Sequence, residues 1–112
     1  HCERTATLLA VEMGWSERDY TLCFQSRFGR ERWLQPYTTE VLRGLPGRDI
    51  TRPLIVTPGF TTDCLETLDE LGREGREIFH AAGGDRDGYR LCPCLNESQE
   101  WIACMKELVT AR

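Results

Sequence analysis

The chain has 112 residues, 40% of them apolar and 29% charged, the size and balance of one globular domain with a core of its own. Its apolar runs are only a few residues long, too short for a membrane-spanning helix. The formal charge of −4, from 18 acidic and 14 basic residues, speaks against a nucleic-acid binder, which needs a basic footprint.

The first dozen residues already read as helix. Ala6, Leu9 or Ala10, and Met13 recur at helical spacing over Glu3 to Met13, and Gly14 follows as a stop. A chain that opens on His1, inside such an element, is expected to be a piece of a longer polypeptide. A polar connection, residues 15–19, leads to Tyr20–Gln25, a short run of β-branched and aromatic residues that predicts a strand. After the loop 26–33, Pro36 opens a unit in which Thr38 or Thr39 caps a helix carrying Val41, Leu42 and Leu45, closed by Pro46-Gly47. Leu54-Ile55-Val56-Thr57 is nearly all apolar, as expected of a strand buried on both faces. Thr61 or Thr62 then caps a long helix to about Ala82, stopped by Gly83-Gly84. A third strand is predicted at Tyr89 to Cys92. Asn96 or Ser98 caps a last helix with Trp101, Ile102, Met105, Leu108 and Val109 on its apolar side.

Helices alternating with three strands predict an α/β fold, a three-layer, Rossmann-like unit with a mainly parallel three-stranded sheet flanked by helices. Right-handed crossovers place the strand-to-helix loops, residues 25–37 and 57–66, on one edge, where such sheets bind ligands.

Both loops carry chemistry. Asp63, Glu66 and Glu70 fall at i, i+3 and i+7 of the long helix and are expected to form one acidic stripe, with Glu74 and Glu77 continuing it. The helix N-terminus favours the ionised forms of Asp63 and Glu66, whereas like charges crowded together disfavour them. Such a row can hold a divalent cation or pass protons; the same spacing also suits a solvated helix face. The other loop joins Phe24, Phe28 and Trp33 with Arg27, Arg30 and Arg32. Apolar walls and bidentate guanidinium groups suit a flat ligand bearing carboxylates, and equally a basic surface loop. His1, at the start, and His80, near a helix C-terminus, are not expected to be catalytic.

The six cysteines form no C-x-x-C pair. With strong helix and strand periodicity around them, free and mostly buried thiols in a reducing, cytoplasmic setting are expected. Cys92-Pro-Cys94 with Cys104 matches no familiar cluster spacing, so no iron–sulfur cluster is expected.

Four motifs in order resemble the C-terminal portion of bacterial protoporphyrin ferrochelatases. They are Phe24-Gln25-Ser26-Arg27-Phe28-Gly29, Trp33-Leu34-Gln35-Pro36-Tyr37-Thr38, Pro58 to Glu70, and Gly83-Gly84 with Cys94-Leu95-Asn96. The resemblance covers residues 1–112 and implies a C-terminal chelatase domain, part of a two-domain lyase that inserts Fe2+ into protoporphyrin IX to form protoheme. It places Glu66 and Glu70 as catalytic carboxylates, Glu66 and Asp63 at the metal, and Ser26, Phe28 and Trp33 at the porphyrin cleft. Iron enters as substrate, and no organic cofactor is implied. The family's essential histidine belongs to a segment absent from these residues, so the implied partner is an N-terminal half of the same enzyme. The chain alone is then expected to be inactive and prone to self-association. A chelatase for coproporphyrin or cobalt, or a metal- or heme-binding or interaction module without catalysis, are the competing readings.

Overall fold

Residues 1–25 and 35–111 are described in the structure, a computed structural model. Helix α1 (Cys2–Met13) ends where Gly14 adopts a left-handed φ of 71°, a conformation that costs most residues free energy but not glycine. The Gly14 N–H reaches the Val11 carbonyl at 3.2 Å and the Trp15 N–H reaches Ala10 at 2.8 Å. These paired bonds satisfy carbonyls that the helix end leaves open.

The strand expected over 20–25 forms at a single point. Phe24 and Tyr37 make one parallel bridge, with the Phe24 N–H on the Pro36 carbonyl at 2.9 Å and the Thr38 N–H on the Phe24 carbonyl at 2.8 Å. Helix α2 (Thr38–Gly44) starts from Tyr37, which makes no side-chain cap bond. Thr38 does not cap it as expected. It is buried, and its hydroxyl donates to Cys23 Sγ at 3.4 Å. A 3-10 turn, Pro46–Arg48, closes the unit as the Pro-Gly pair predicts.

Strands β1 (Leu54–Ile55) and β2 (Arg90–Leu91) pair in parallel, Leu54 opposite Arg90 and Ile55 opposite Leu91. Among the described residues the sheet therefore has two strands. Leu54 is 53% exposed, so this apolar run is not covered on both faces as its composition predicts.

The long helix differs most from expectation. It begins after Leu65, not at Thr61 or Thr62, and Glu66–Glu74 is a π-helix that runs directly into α3 (Gly75–Ala81). The wide i→i+5 bonding is visible at its end, where the Gly75 N–H reaches the Glu70 carbonyl; such turns are rare and concentrate at functional sites. Tyr89 locks against this stretch. Its buried hydroxyl donates to the Leu71 carbonyl at 2.6 Å, in space that a side chain at Gly75 would fill, since a Cβ there would meet that hydroxyl.

The core lies between α2 and α3, where Leu42, Leu45, Phe79 and Tyr89 are buried together and Val41, Ile50, Ile55 and Ile78 pack around them. Phe79 and Tyr89 meet as tilted rings with centroids 5.9 Å apart. The Arg76 guanidinium sits 5.8 Å from the Tyr89 ring centroid, within reach of a cation–π contact. Burying each large apolar side chain is worth about 1.5–3 kcal/mol, so this cluster fixes α3 on α2 and β2.

Helix α4 (Gln99–Thr110) is capped by Ser98, whose hydroxyl accepts from the Trp101 N–H at 3.4 Å. None of its residues is buried among those described. Ile102, Met105, Leu108 and Val109 stay exposed, as do Leu8, Val11 and Met13 of α1. Among the described residues no helix is long and apolar enough to cross a membrane.

Candidate active site

The loops that follow β1 and β2 leave the same edge of the sheet, and polar bonds hold them together. Thr57 Oγ1 and Cys94 Sγ lie 3.3 Å apart. Asn96 adopts a left-handed φ of 50°, which asparagine tolerates better than most residues, and its N–H reaches the Thr61 carbonyl at 2.7 Å. Its side-chain amide faces Asp63. Asn96 Oδ1 accepts from the Asp63 N–H at 2.8 Å, and Nδ2 donates to Asp63 Oδ2 at 2.9 Å.

Asp63 therefore precedes the helix and is not a member of a stripe along it. Its Oδ2 also accepts from the Cys94 N–H at 3.2 Å, and its Oδ1 accepts from the Thr67 hydroxyl at 2.9 Å. Hydrogen bonds to a carboxylate favour its charged form. The Asn96 amide first, then Thr67 and Cys94, hold the Asp63 carboxyl below the usual value of 3.8, against the upward push of burial. Burial likewise pushes the Cys94 thiol upward, where it prevails, with the Thr57 hydroxyl opposing the rise and Asp63 adding to it.

Glu66 is the first residue of the π-helix. A hydrogen bond from the Cys64 thiol, followed by its own backbone N–H, holds its carboxyl below the ordinary range, with desolvation opposing. Thr67 behind it is fully buried, and its hydroxyl accepts from the Cys64 N–H at 2.9 Å. Four-residue steps carry the acidic face from Glu66 to Glu70 and Glu74. Glu77 leaves this row for Arg86, with bonds of 2.9 and 2.8 Å to its two carboxylate oxygens. Glu70 and Glu74 line a cavity of about 140 Å³, walled by Phe24, Tyr37 and Leu71 among others. Gln25 shares that cavity, and among the described residues its buried amide has no hydrogen-bond partner.

Of the residues singled out from sequence, the fold brings Glu66 and Glu70 onto one helix and Asp63 just ahead of them. Ser26, Phe28 and Trp33 lie outside the described residues. His80 is occupied at the end of α3, with Nδ1 2.9 Å from the Gly84 carbonyl, and His1 is exposed. Cys2 and Cys104 are exposed and Cys23, Cys64, Cys92 and Cys94 half-buried, all six free thiols, so they are less buried than expected. Among the described residues, no group of three or more His, Cys, Asp or Glu is arranged to hold a metal ion. Asn96 and Thr67 were missed as site residues. An asparagine between a strand and a helix reads equally as a cap, and its true partner lies 33 positions away.

Relatives agree with the resemblance. The ferrochelatase family model matches residues 1–112. A ferrochelatase of Vibrio vulnificus (strain YJ016) is 47% identical over 112 residues, covering 100% of this chain and 34% of the relative. One of Aliivibrio fischeri (strain MJ11) is 46% identical over the same shares, and one of Vibrio atlanticus (strain LGP32) is 49% identical over 109 residues, 97% of this chain and 33% of the relative. The chain thus spans about a third of the length of the curated relatives it matches. A family match along all 112 residues, with the acidic helix inside it, shows that this chain belongs to the ferrochelatase family.

Proposed function

We propose that residues 1–112 are the C-terminal chelatase domain of a cytoplasmic lyase that inserts Fe2+ into protoporphyrin IX to form protoheme. The observation that carries this reading is the acidic face of the π-helix, Glu66 followed by Glu70, at the ligand-binding edge of a parallel sheet. Metal insertion exchanges a dication for two pyrrole protons, so a base must stand close to the porphyrin nitrogens. Glu66, with its carboxyl held below the ordinary range, offers a negative charge to the arriving metal, and Asp63 beside it adds to the field. Glu70, one step along the same face, takes protons away from the ring. Ser26, Phe28 and Trp33 border the cleft that holds the porphyrin. That cleft uses binding energy to bend the ring and expose its nitrogens.

Iron is a substrate here; no organic cofactor or iron–sulfur cluster takes part. The remaining two thirds of the enzyme supply an N-terminal half, the opposite wall of the cleft and a histidine facing Glu66. Within that whole, this chain belongs to a three-stranded Rossmann-like half. The uncovered apolar residues of α1 and α4 support docking against the rest of the polypeptide, since large exposed apolar patches mark interaction surfaces. Alone, the chain self-associates and does not turn over.

Glu66→Gln in the complete enzyme tests the assignment. The expected result is loss of metal insertion, followed by absorbance, while porphyrin still quenches protein fluorescence on binding. Turnover at the wild-type rate would remove Glu66 from the mechanism.

A further inference from the structure

We infer that Asn96 is a positioning residue for metal insertion: by clasping Asp63 it fixes where the π-helix begins, and so where Glu66 stands. The inference rests on the function proposed above.

The clasp is reciprocal. Asn96 Oδ1 accepts the Asp63 N–H at 2.8 Å while Asn96 Nδ2 donates to Asp63 Oδ2 at 2.9 Å. The same Nδ2 donates to the Cys94 carbonyl at 3.1 Å, which sets the plane of the amide. On its other side Asp63 accepts from Thr67 at 2.9 Å, and Thr67 accepts from the Cys64 N–H at 2.9 Å. Glu66 sits between Cys64 and Thr67, both tied to this network. Its backbone therefore has a fixed distance to the loop after β2, across 33 residues of sequence.

The amide is specific to this task. Asn96 is exposed and adds nothing to the apolar core. The loops stay joined without it, through the Asn96 N–H on Thr61 at 2.7 Å and the Cys94 N–H on Asp63 at 3.2 Å. Loss of the amide is thus expected to move Glu66 without unfolding the site. Asparagine alone combines the needed donor and acceptor with ready access to the left-handed backbone at φ 50°.

The test uses the complete enzyme and two variants. Asn96→Gly keeps the positive φ and deletes the amide. Asn96→Asp keeps the shape and the bond accepted from the Asp63 N–H, but replaces a donor by a charge facing the Asp63 carboxylate. Melting midpoint, porphyrin affinity, and kcat and KM for ferrous iron are measured for each. The expected result is a near wild-type melting midpoint and porphyrin affinity, with kcat lowered on the order of tenfold to a hundredfold, the size of a misplacement of a reacting group by about 1 Å. Asn96→Asp carries the test if Asn96→Gly does not fold. A kcat within about twofold of wild type, or failure of both variants to fold, overturns the inference. Glu66→Gln is run in parallel. If it is inactive while the Asn96 variants turn over normally, the positioning role alone fails; if Glu66→Gln turns over, the proposed function fails with it.

Discussion

Tyr89 joins the sheet to the π-helix, and Tyr89→Phe measures what that joint is worth. The side chain is 1% exposed, and its hydroxyl donates to the Leu71 carbonyl at 2.6 Å. Deleting the hydroxyl removes one buried hydrogen bond and leaves a carbonyl less satisfied, a cost of about 1–2 kcal/mol at neutral pH. The same burial predicts an effect of opposite sign in alkali. Desolvation pushes the Tyr89 phenol from 10.0 up to about 12, with Arg76 opposing and Cys23 adding. A raised folded-state value means that the stabilisation is complete below pH 10.0 and is lost as pH rises toward about 12. That loss is at most roughly 2–3 kcal/mol, at about 1.4 kcal/mol for each pH unit. Phenylalanine has no proton to lose and escapes it. The two proteins should therefore differ by about 1–2 kcal/mol at neutral pH and converge near about pH 11. Denaturant unfolding of both proteins at neutral and alkaline pH reads this directly, and cysteine ionisation, common to both, cancels in the difference. A gap that stays constant across the alkaline range refutes the reasoning, because Tyr89 would then ionise alike in the folded and unfolded chains.

Gly75→Ala should destabilise by about 1–3 kcal/mol through overpacking, despite the helix propensity alanine brings, because its Cβ would meet the Tyr89 hydroxyl and lie 3.3 Å from Leu42 Cδ1. Combined with Tyr89→Phe the cost should be smaller than the sum of the two single changes, and thermal melts of the four proteins measure that coupling. Thr67→Val should cost about 1–3 kcal/mol, since the half-buried Cys64 N–H loses the acceptor it holds at 2.9 Å; an unchanged denaturant midpoint would show that water replaces the hydroxyl.

Much of the local structure was legible because its cause is local. Gly14 ends α1, Pro46-Gly47 ends α2 and Ser98 caps α4, each through chemistry contained within a few residues. The parallel pairing of the second and third predicted strands followed from the helices between them. The π-helix was not legible. Acidic residues at three- and four-residue steps read alike on a regular and on a widened helix, and what accommodates the wide turn here, Tyr89 against Gly75 and Leu71, is a contact between distant segments. Asp63 was placed on the helix for the same reason, whereas Asn96 holds it ahead of the first turn. Tyr20–Gln25 has strand composition, yet among the described residues only Phe24 finds a partner, at Tyr37; composition sets the propensity for pairing and not the neighbour. The apolar pattern of α4 is plain in the sequence, but periodicity does not say what covers it, and among the described residues that face is open.

On the function proposed above, this chain carries the acidic, metal-facing side of a divided ferrochelatase site. Insertion of ferrous iron or zinc into protoporphyrin tests this most directly, followed by absorbance for this chain alone, for the remaining part of the enzyme alone, and for the two together. Activity in the mixture alone is the expected result, abolished when this chain carries Glu66→Gln. Activity in this chain by itself, or a mixture indifferent to Glu66, would contradict the account.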